Sequence, residues 1–337
     1  MGKVFVHQVS KHVNKEVTLQ GWVYNSRRSG KIGFLTFRDG FGLLQCIVAK
    51  NDVGDEKFDL FKKLTQESSL IIKGKVVENE RALGGYEVVA NDIELVHLSK
   101  EYPISPKEHG TDFLMNNRHL WLRSKKQHAI LKVRHQIIKA IRDFFDSNDF
   151  TLVDSPIFTP NAAEGTSTLF ETEYFGKTAY LAQTGQLYGE ASAMAFGRHY
   201  NFGPCFRAEK SKTRRHLTEF WMVEPEIAFC EIEEDIQWAE DLLVYIVNHV
   251  LENCMDYLII LERDTEKLKK IQSPFPRLSY TECIEILQKD NFDIKWGDDF
   301  GSPEETHIAE KHDSPVIIHR FPSKIKAFYM KRDPEND

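Results

Sequence analysis

Arg207, Glu209, Glu219 and Phe220 lie close together in one run, Phe206 to Glu226, and their types suit a nucleotide. An Arg guanidinium forks onto phosphate oxygens, and an aromatic ring stacks on a base. Lys210 to His216 forms a polar, cationic loop between them, able to hold outer phosphates. Apolar and polar residues alternate from Leu217 to Ile227, so the run reads as a hairpin, with Gly203-Pro204 punctuating its start. The same composition also suits a plain solvated basic turn, so the surrounding elements have to decide.

Upstream, strand-like stretches cover Val17–Tyr24, Gly33–Arg38, Leu43–Val48, Leu70–Val77 and Tyr86–Val96, separated by Ser29-Gly30, Asp39-Gly40 and Gly84-Gly85. A helix-like segment, Glu56 to Gln66, follows the third strand and aligns Phe58, Phe61 and Leu64 on one face. Five strands with a helix after the third is OB-fold order, and that fold binds oligonucleotides on the face of strands 2 and 3. Phe34 and Gln45 stand on that face, with Arg27 and Arg28 just before. A Phe can stack on an unpaired base and a Gln amide can read its edge. Alternation alone places Phe34 equally well in the barrel core, and Arg27 and Arg28 fit either phosphate contacts or a solvated rim.

A Pro- and Gly-bearing connector follows, without clear periodicity between His97 and His119. Ile130, Val133, Ile137, Ile141, Phe144 and Phe145 then recur at helical spacing from about Gln127 to Ser147, followed by a strand-like, proline-broken stretch from Phe150 to Pro160. Ala163-Glu164-Gly165-Thr166 is a small-residue loop suited to movement over a site. Tyr180 to Glu190 runs from a strand into a helix that starts near Gln186.

The 337 residues are enough for two domains with separate cores. No apolar run reaches membrane-spanning length and the N-terminus reads as part of a folded segment, so neither a signal peptide nor a membrane anchor is expected. Five cysteines without a Cys-x-x-Cys pair argue against a zinc knuckle or a disulfide framework and fit a reducing cytoplasm. Net charge is −7, but residues 1–100 carry +3 and the remainder −10. A mildly basic module on an acidic body permits local phosphate contact without promiscuous nucleic-acid binding.

The run from Phe206 to Glu226 resembles motif 2 of the class II aminoacyl-tRNA synthetases, in the subclass that charges Asp, Asn and Lys, and among these it is most similar to the asparaginyl enzymes. Helix, strand and Pro156 resemble motif 1. The resemblance implies an α+β protein: an N-terminal five-stranded OB-fold β-barrel at 1–100 that binds the anticodon, a hinge at 101–118, and a class II antiparallel-sheet catalytic domain with flanking helices at 119–337. It implies a cytoplasmic homodimer through motif 1 around Pro156, acting on ATP with Mg2+, L-asparagine and tRNA(Asn), with no metal-binding residues in the sequence given.

The resemblance also carries roles. Arg207 is expected to bridge the amino-acid carboxylate and the α-phosphate, Glu209 and Phe220 to hold adenine, and Arg215 and His216 to meet the outer phosphates. Glu164 and Gln186 are expected at the α-ammonium. Phe34 is expected to stack on the middle anticodon base and Gln45 to hydrogen-bond it, with Arg27 at the backbone. Aspartyl enzymes carry a Lys where Gly189 stands and an Asp where Glu224 stands. A buried cation would be stranded against a neutral amide, and Glu224 can accept from an amide NH2, so both positions point to asparagine. A relaxed aspartyl enzyme, a non-catalytic tRNA-binding relative and a stand-alone asparagine synthetase are the rival readings; the intact motif 2 opposes the second and the barrel the third. No glycine follows Gly301, so the Gly-rich motif 3 is absent from Ser302–Asp337. Sequence beyond Asp337 is the expected place for it, and a polypeptide stopping there is expected to be unstable.

Overall fold

In the computed structural model, residues 3–105, 107–161, 168–210 and 216–334 are described. The chain divides into two units, Met1–Trp121 and Leu122–Asp337.

The first unit is a closed barrel of order β1-β2-β3-β5-β4, made from β1 (Glu16–Ser29), β2 (Ile32–Arg38), β3 (Leu43–Ala49), β4 (Ser69–Glu78) and β5 (Tyr86–His97). Alternation decides what it buries: Leu35 and Phe37 of β2 point inward with Leu44, Cys46 and Val48 of β3, while Phe34 and Gln45 fall on the outer face. The expected helical segment is α2 (Asp55–Lys63), preceded by a short helix α1 (Lys50–Val53), and Phe58, Phe61 and Leu64 pack into the barrel core. Gly33 makes that packing possible, since a Cβ there would stand 2.3 Å from the Phe61 ring. The connector contains two short helices, α3 (Thr111–Asn116) and α4 (Arg118–Trp121), too brief to show a period in the sequence.

In the second unit α5 (Lys125–Ser147) is capped by Ser124, whose Oγ accepts from the Gln127 N–H at 3.3 Å. β6 (Thr151–Leu152) lies parallel to β10 (Arg198–Phe206), which pairs antiparallel with β11 (Glu219–Ile227), giving the order β11-β10-β6. A second sheet of order β7-β9-β8 joins β7 (Phe158–Thr159), β8 (Glu171–Tyr174) and β9 (Lys177–Leu181), and β9 leads to α6 (Gln186–Phe196). α7 (Ile232–Asn253) covers the back of the first sheet. Ile141, Phe144, Phe145, Phe150, Tyr200 and Phe202 form the core there, with Val223, Ile227 and Trp238 against it. Further on, α8 (Met255–Ile260) and α9 (Thr265–Lys269) precede a small layer in which β12 (Arg277–Ser279) pairs parallel with β13 (Ile317–His319) beside α10 (Tyr280–Lys289) and α11 (Ser302–Ala309). No helix among the described residues is long and apolar enough to cross a membrane.

One sequence expectation is corrected here. Gly203-Pro204 does not begin the hairpin; β10 starts at Arg198 and runs through it, with Gly203 opposite Met222 and Pro204 opposite Trp221. Proline is tolerated because its nitrogen faces away from β11. Phe206 donates outward to the Ala182 carbonyl and the Tyr200 carbonyl accepts from Val153, so even-numbered positions turn their backbone groups to the far side. β6 pairs only His199 and Tyr200, so at Pro204 no ladder bond is lost.

Candidate functional site

The β10–β11 hairpin has a core face and a working face. Tyr200, Phe202, Val223 and Ile227 turn toward α5 and α7. By alternation the opposite face carries His199, Asn201, Gly203 and Cys205 on β10, opposite Glu226, Glu224, Met222 and Phe220 on β11. Arg207 extends this series, its N–H donating to the Thr218 carbonyl at 2.9 Å. Its Nε is buried and has no hydrogen-bond partner among the described residues. A buried guanidinium N–H without a partner costs free energy unless an acceptor arrives, and an anionic ligand is one. Thr168 donates to Glu209 at the limit of hydrogen-bond range, 3.5 Å, and His216 is exposed at the far end of the loop. Glu164 and Arg215 lie outside the described residues.

Helix α6 sets its N-terminal end on this face. Gly185 and Gly189, four residues apart, both face the hairpin; a Cβ on Gly185 would stand 2.3 Å from Asn201 Nδ2 and 2.7 Å from Ser155 Oγ. The close approach lets Glu224 tie helix to hairpin. It accepts from the Thr184 hydroxyl, from the Gly185 N–H at 3.0 and 3.1 Å, and from Asn201 Nδ2 at 2.9 Å. Asn201 is oriented in turn, since its Oδ1 accepts from the Ser155 N–H at 3.3 Å. Glu224 was expected to meet the substrate amide; most of its acceptor capacity is taken by the chain itself.

Gln186 opens α6, its N–H bonded to Thr184 Oγ1 at 3.1 Å. Its side chain donates to Glu190 at 3.2 Å and accepts from the Tyr329 hydroxyl at 3.4 Å. Tyr329 escaped the sequence reading because it lies 143 residues away in a segment without periodic pattern. Asn201 escaped it too, although a polar amide inside an apolar strand was a usable signal. Glu226 and His199 complete the face.

On the barrel, Phe34 lies on the outer surface, half-buried, with the Arg27 guanidinium 4.8 Å from its ring centroid. A β-bulge between Val23 and Asn25 brings them together. Val23 points into the core, and without the extra residue Arg27 would also point inward; the bulge turns it out opposite Phe34. Gln45 shares this face and donates to Glu87 at 2.9 Å, which also accepts from Asn79 at 3.0 Å. Arg28 is exposed beyond Arg27.

Comparison with known proteins agrees across the chain. Residues 110–337 match the family of class II tRNA synthetases (D, K and N), and residues 17–96 match the OB-fold nucleic acid binding domain. An asparagine–tRNA ligase of Sorangium cellulosum is 56% identical over 98% of this chain and 77% of its own length. One from Desulforamulus reducens is 56% identical over 100% and 78%. The crystal structure of an asparaginyl-tRNA synthetase from Pyrococcus horikoshii, complexed with asparaginyl-adenylate, superposes with a TM-score of 0.95 at 42% identity, covering 100% of this chain and 78% of that one.

Proposed function

The chain belongs to the class II tRNA synthetases of the aspartate, lysine and asparagine group, and from that membership we propose an asparagine–tRNA ligase. It activates L-asparagine with ATP and transfers it to tRNA(Asn). The asparagine carboxylate attacks the α-phosphorus in line, forming asparaginyl-adenylate and releasing pyrophosphate. A terminal ribose hydroxyl of the tRNA then attacks the activated carbonyl and AMP departs. The first nucleophile is already anionic, so catalysis rests on positioning and charge stabilisation rather than on a general base.

The observation that carries the catalytic assignment is the buried Nε of Arg207, without a hydrogen-bond partner among the described residues, on the same hairpin face as Glu224 and Phe220. Its fork would bridge the carboxylate and the α-phosphate, where negative charge is shared in the transition state. Phe220 would stack on adenine and Glu209 would accept from it. Arg215 and His216 would meet the outer phosphates. Gln186, steadied by Glu190 and Tyr329, and Glu164 would hold the α-ammonium. Glu224 would offer its remaining acceptor capacity to the side-chain amide. On the barrel, Phe34 backed by Arg27 would stack on an anticodon base, with Gln45 reading its edge.

Magnesium would accompany the triphosphate and offset its charge. Among the described residues no group of three or more His, Cys, Asp or Glu side chains is arranged to hold a metal, and no step is routed through the ion. A homodimer through the exposed Pro156, Ile157 and Phe158 is part of the proposal, as are a cytoplasmic setting and the division at 1–100, 101–118 and 119–337. The test is ATP–pyrophosphate exchange by the full-length protein with asparagine or aspartate, followed by charging of tRNA(Asn). Asparagine should be preferred by more than about a hundredfold, since a carboxylate beside Glu224 is mispaired. Comparable exchange with aspartate would reject the assignment.

A further inference from the structure

Two residues beyond Glu224, on the same hairpin face, Glu226 points toward α6 opposite His199. Gly189 of the helix contributes no side chain there. A Cβ built on Gly189 would lie 3.2 Å from Glu226 Cγ, 3.6 Å from His199 Cε1 and 3.9 Å from Glu226 Oε1. Glu224 and Glu226 differ in what surrounds them. Glu224 is tied by Thr184, Gly185 and Asn201, whereas Glu226 has no hydrogen bond or ion pair among the described residues. His199 is fully buried, and neither ring nitrogen has a partner among the described residues. Gly189 lets α6 pack directly against Glu226, where even a methyl would be tight. Buried polar groups such as the His199 ring nitrogens are normally satisfied by something, and a polar ligand group reaching this face beside Glu226 would be such a partner.

We propose that Glu226 is a further specificity-determining residue, the carboxyl that accepts from the substrate's side-chain amide and rejects a side-chain carboxylate. The proposal rests on the asparagine reading above and assigns part of its selectivity to a second acid. An anionic Glu226 accepts from the amide NH2 and repels the carboxylate of aspartate. A neutral Glu226 carries an O–H and can donate to that carboxylate, so the barrier to aspartate falls.

The surroundings put this switch in an accessible range. The ionisable groups that face Glu226 are Glu190 from α6, Glu224 from its own strand, His199 from β10 and Asp235 from α7. None of these is a Lys or Arg. Burial first, then repulsion from Glu190, Glu224 and Asp235, pushes the Glu226 carboxyl up to about 7. Burial lowers His199 below its ordinary value, so the facing imidazole is neutral and supplies no compensating charge. Glu226 is therefore increasingly anionic as pH rises through 7, and selectivity for asparagine should rise with it.

The experiment measures kcat/KM for asparagine and for aspartate in pyrophosphate exchange by the full-length enzyme between about pH 6 and 8.5. Free aspartate keeps its side-chain charge throughout this range, since its carboxyl titrates near 4. A pH-dependent ratio therefore reports a group on the protein. The wild-type Asn/Asp ratio should rise about tenfold or more across the range, as expected for gain of one charge beside the discriminating group. In Glu226→Gln the ratio should fall about tenfold at pH 8 and lose its pH dependence. Glu226→Asp, which restores a titrating acid, should recover the pH dependence. Gly189→Ala, whose methyl presses on Glu226 Cγ, should lower the ratio several-fold through the amino-acid parameters rather than the KM for ATP. A flat wild-type profile, or a Glu226→Gln enzyme with the wild-type ratio and slope, overturns the proposal while asparagine activation stands. A wild-type enzyme that does not exchange pyrophosphate with asparagine overturns the underlying reading and this proposal together.

Discussion

Replacing Glu224 with Gln tests whether the tie between α6 and the hairpin holds the site together. The substitution keeps the shape but removes one acceptor. One amide oxygen can still serve Thr184 and the Gly185 N–H. The new NH2 then faces Asn201 Nδ2, which in the wild type donates to Glu224 at 2.9 Å. Asn201 cannot escape by turning its amide over, because its Oδ1 already accepts from the Ser155 N–H at 3.3 Å. At least one buried donor is therefore left unpaired, costing about 1–3 kcal/mol. For a domain of this size the melting temperature should fall by roughly 2–4 °C for each kcal/mol. Urea denaturation and thermal melting of the full-length protein read this directly. Asparagine-dependent exchange should fall as well, since the start of α6 carries Gln186.

The decisive arm is the pair Glu224→Gln with Asn201→Asp. Asn201→Asp alone sets a carboxylate against Glu224 and should be the least stable variant. In the double variant the pairing is regained, because the carboxylate introduced on β10 accepts both from the amide introduced on β11 and from the Ser155 N–H. The double variant should recover at least about 1 kcal/mol relative to additivity, within the usual range for residues in contact. Strict additivity of the two substitutions, or a Glu224→Gln protein that melts as the wild type does, would refute the role given to this network.

The other predictions concern catalysis and tRNA. Arg207→Ala should lower kcat for adenylation by two or more orders of magnitude, as for loss of a donor that acts mainly on the transition state; an unchanged single-turnover rate would remove Arg207 from the mechanism. Phe220→Leu should act mainly on the KM for ATP, because stacking on adenine is present in ground and transition states alike, and a purely kcat effect would contradict that role. Phe34→Ala should weaken use of tRNA(Asn) by about 1–3 kcal/mol while leaving pyrophosphate exchange intact, and normal charging kinetics would show that the outer barrel face is used differently.

Much of the scaffold was legible from local pattern. The five barrel strands stand out because period-two alternation is interrupted by Gly-bearing turns, and α5 because six apolar residues recur on one helical face. The four-residue helix α1 and the short helices of the connector were not legible, since so few residues establish no period. Gly203-Pro204 misled because turn residues are read without knowing where a neighbouring strand ends. Only the pairing of β10 with both β6 and β11 reveals that Pro204 faces an unpaired side.

The sequence by itself determined the residue types and their order: a guanidinium, an aromatic ring and acids along one hairpin, a Gly in place of a cation at 189, and an OB-type barrel ahead of them. Those properties are local, and alternation suffices to read them. Tertiary structure decided which face each residue serves and which acid the chain's own groups engage. Phe34 and Arg27 meet on the outside of the barrel only because one bulge shifts the register. Glu224 is engaged by Thr184 and Gly185, about 40 residues away in sequence, and by Asn201 across the strands, while Glu226 is left without a partner among the described residues. Two nearly identical carboxylates two positions apart are distinguished by nothing in their own sequence. Burial and hydrogen bonding, which depend on what the fold brings against each, set them apart.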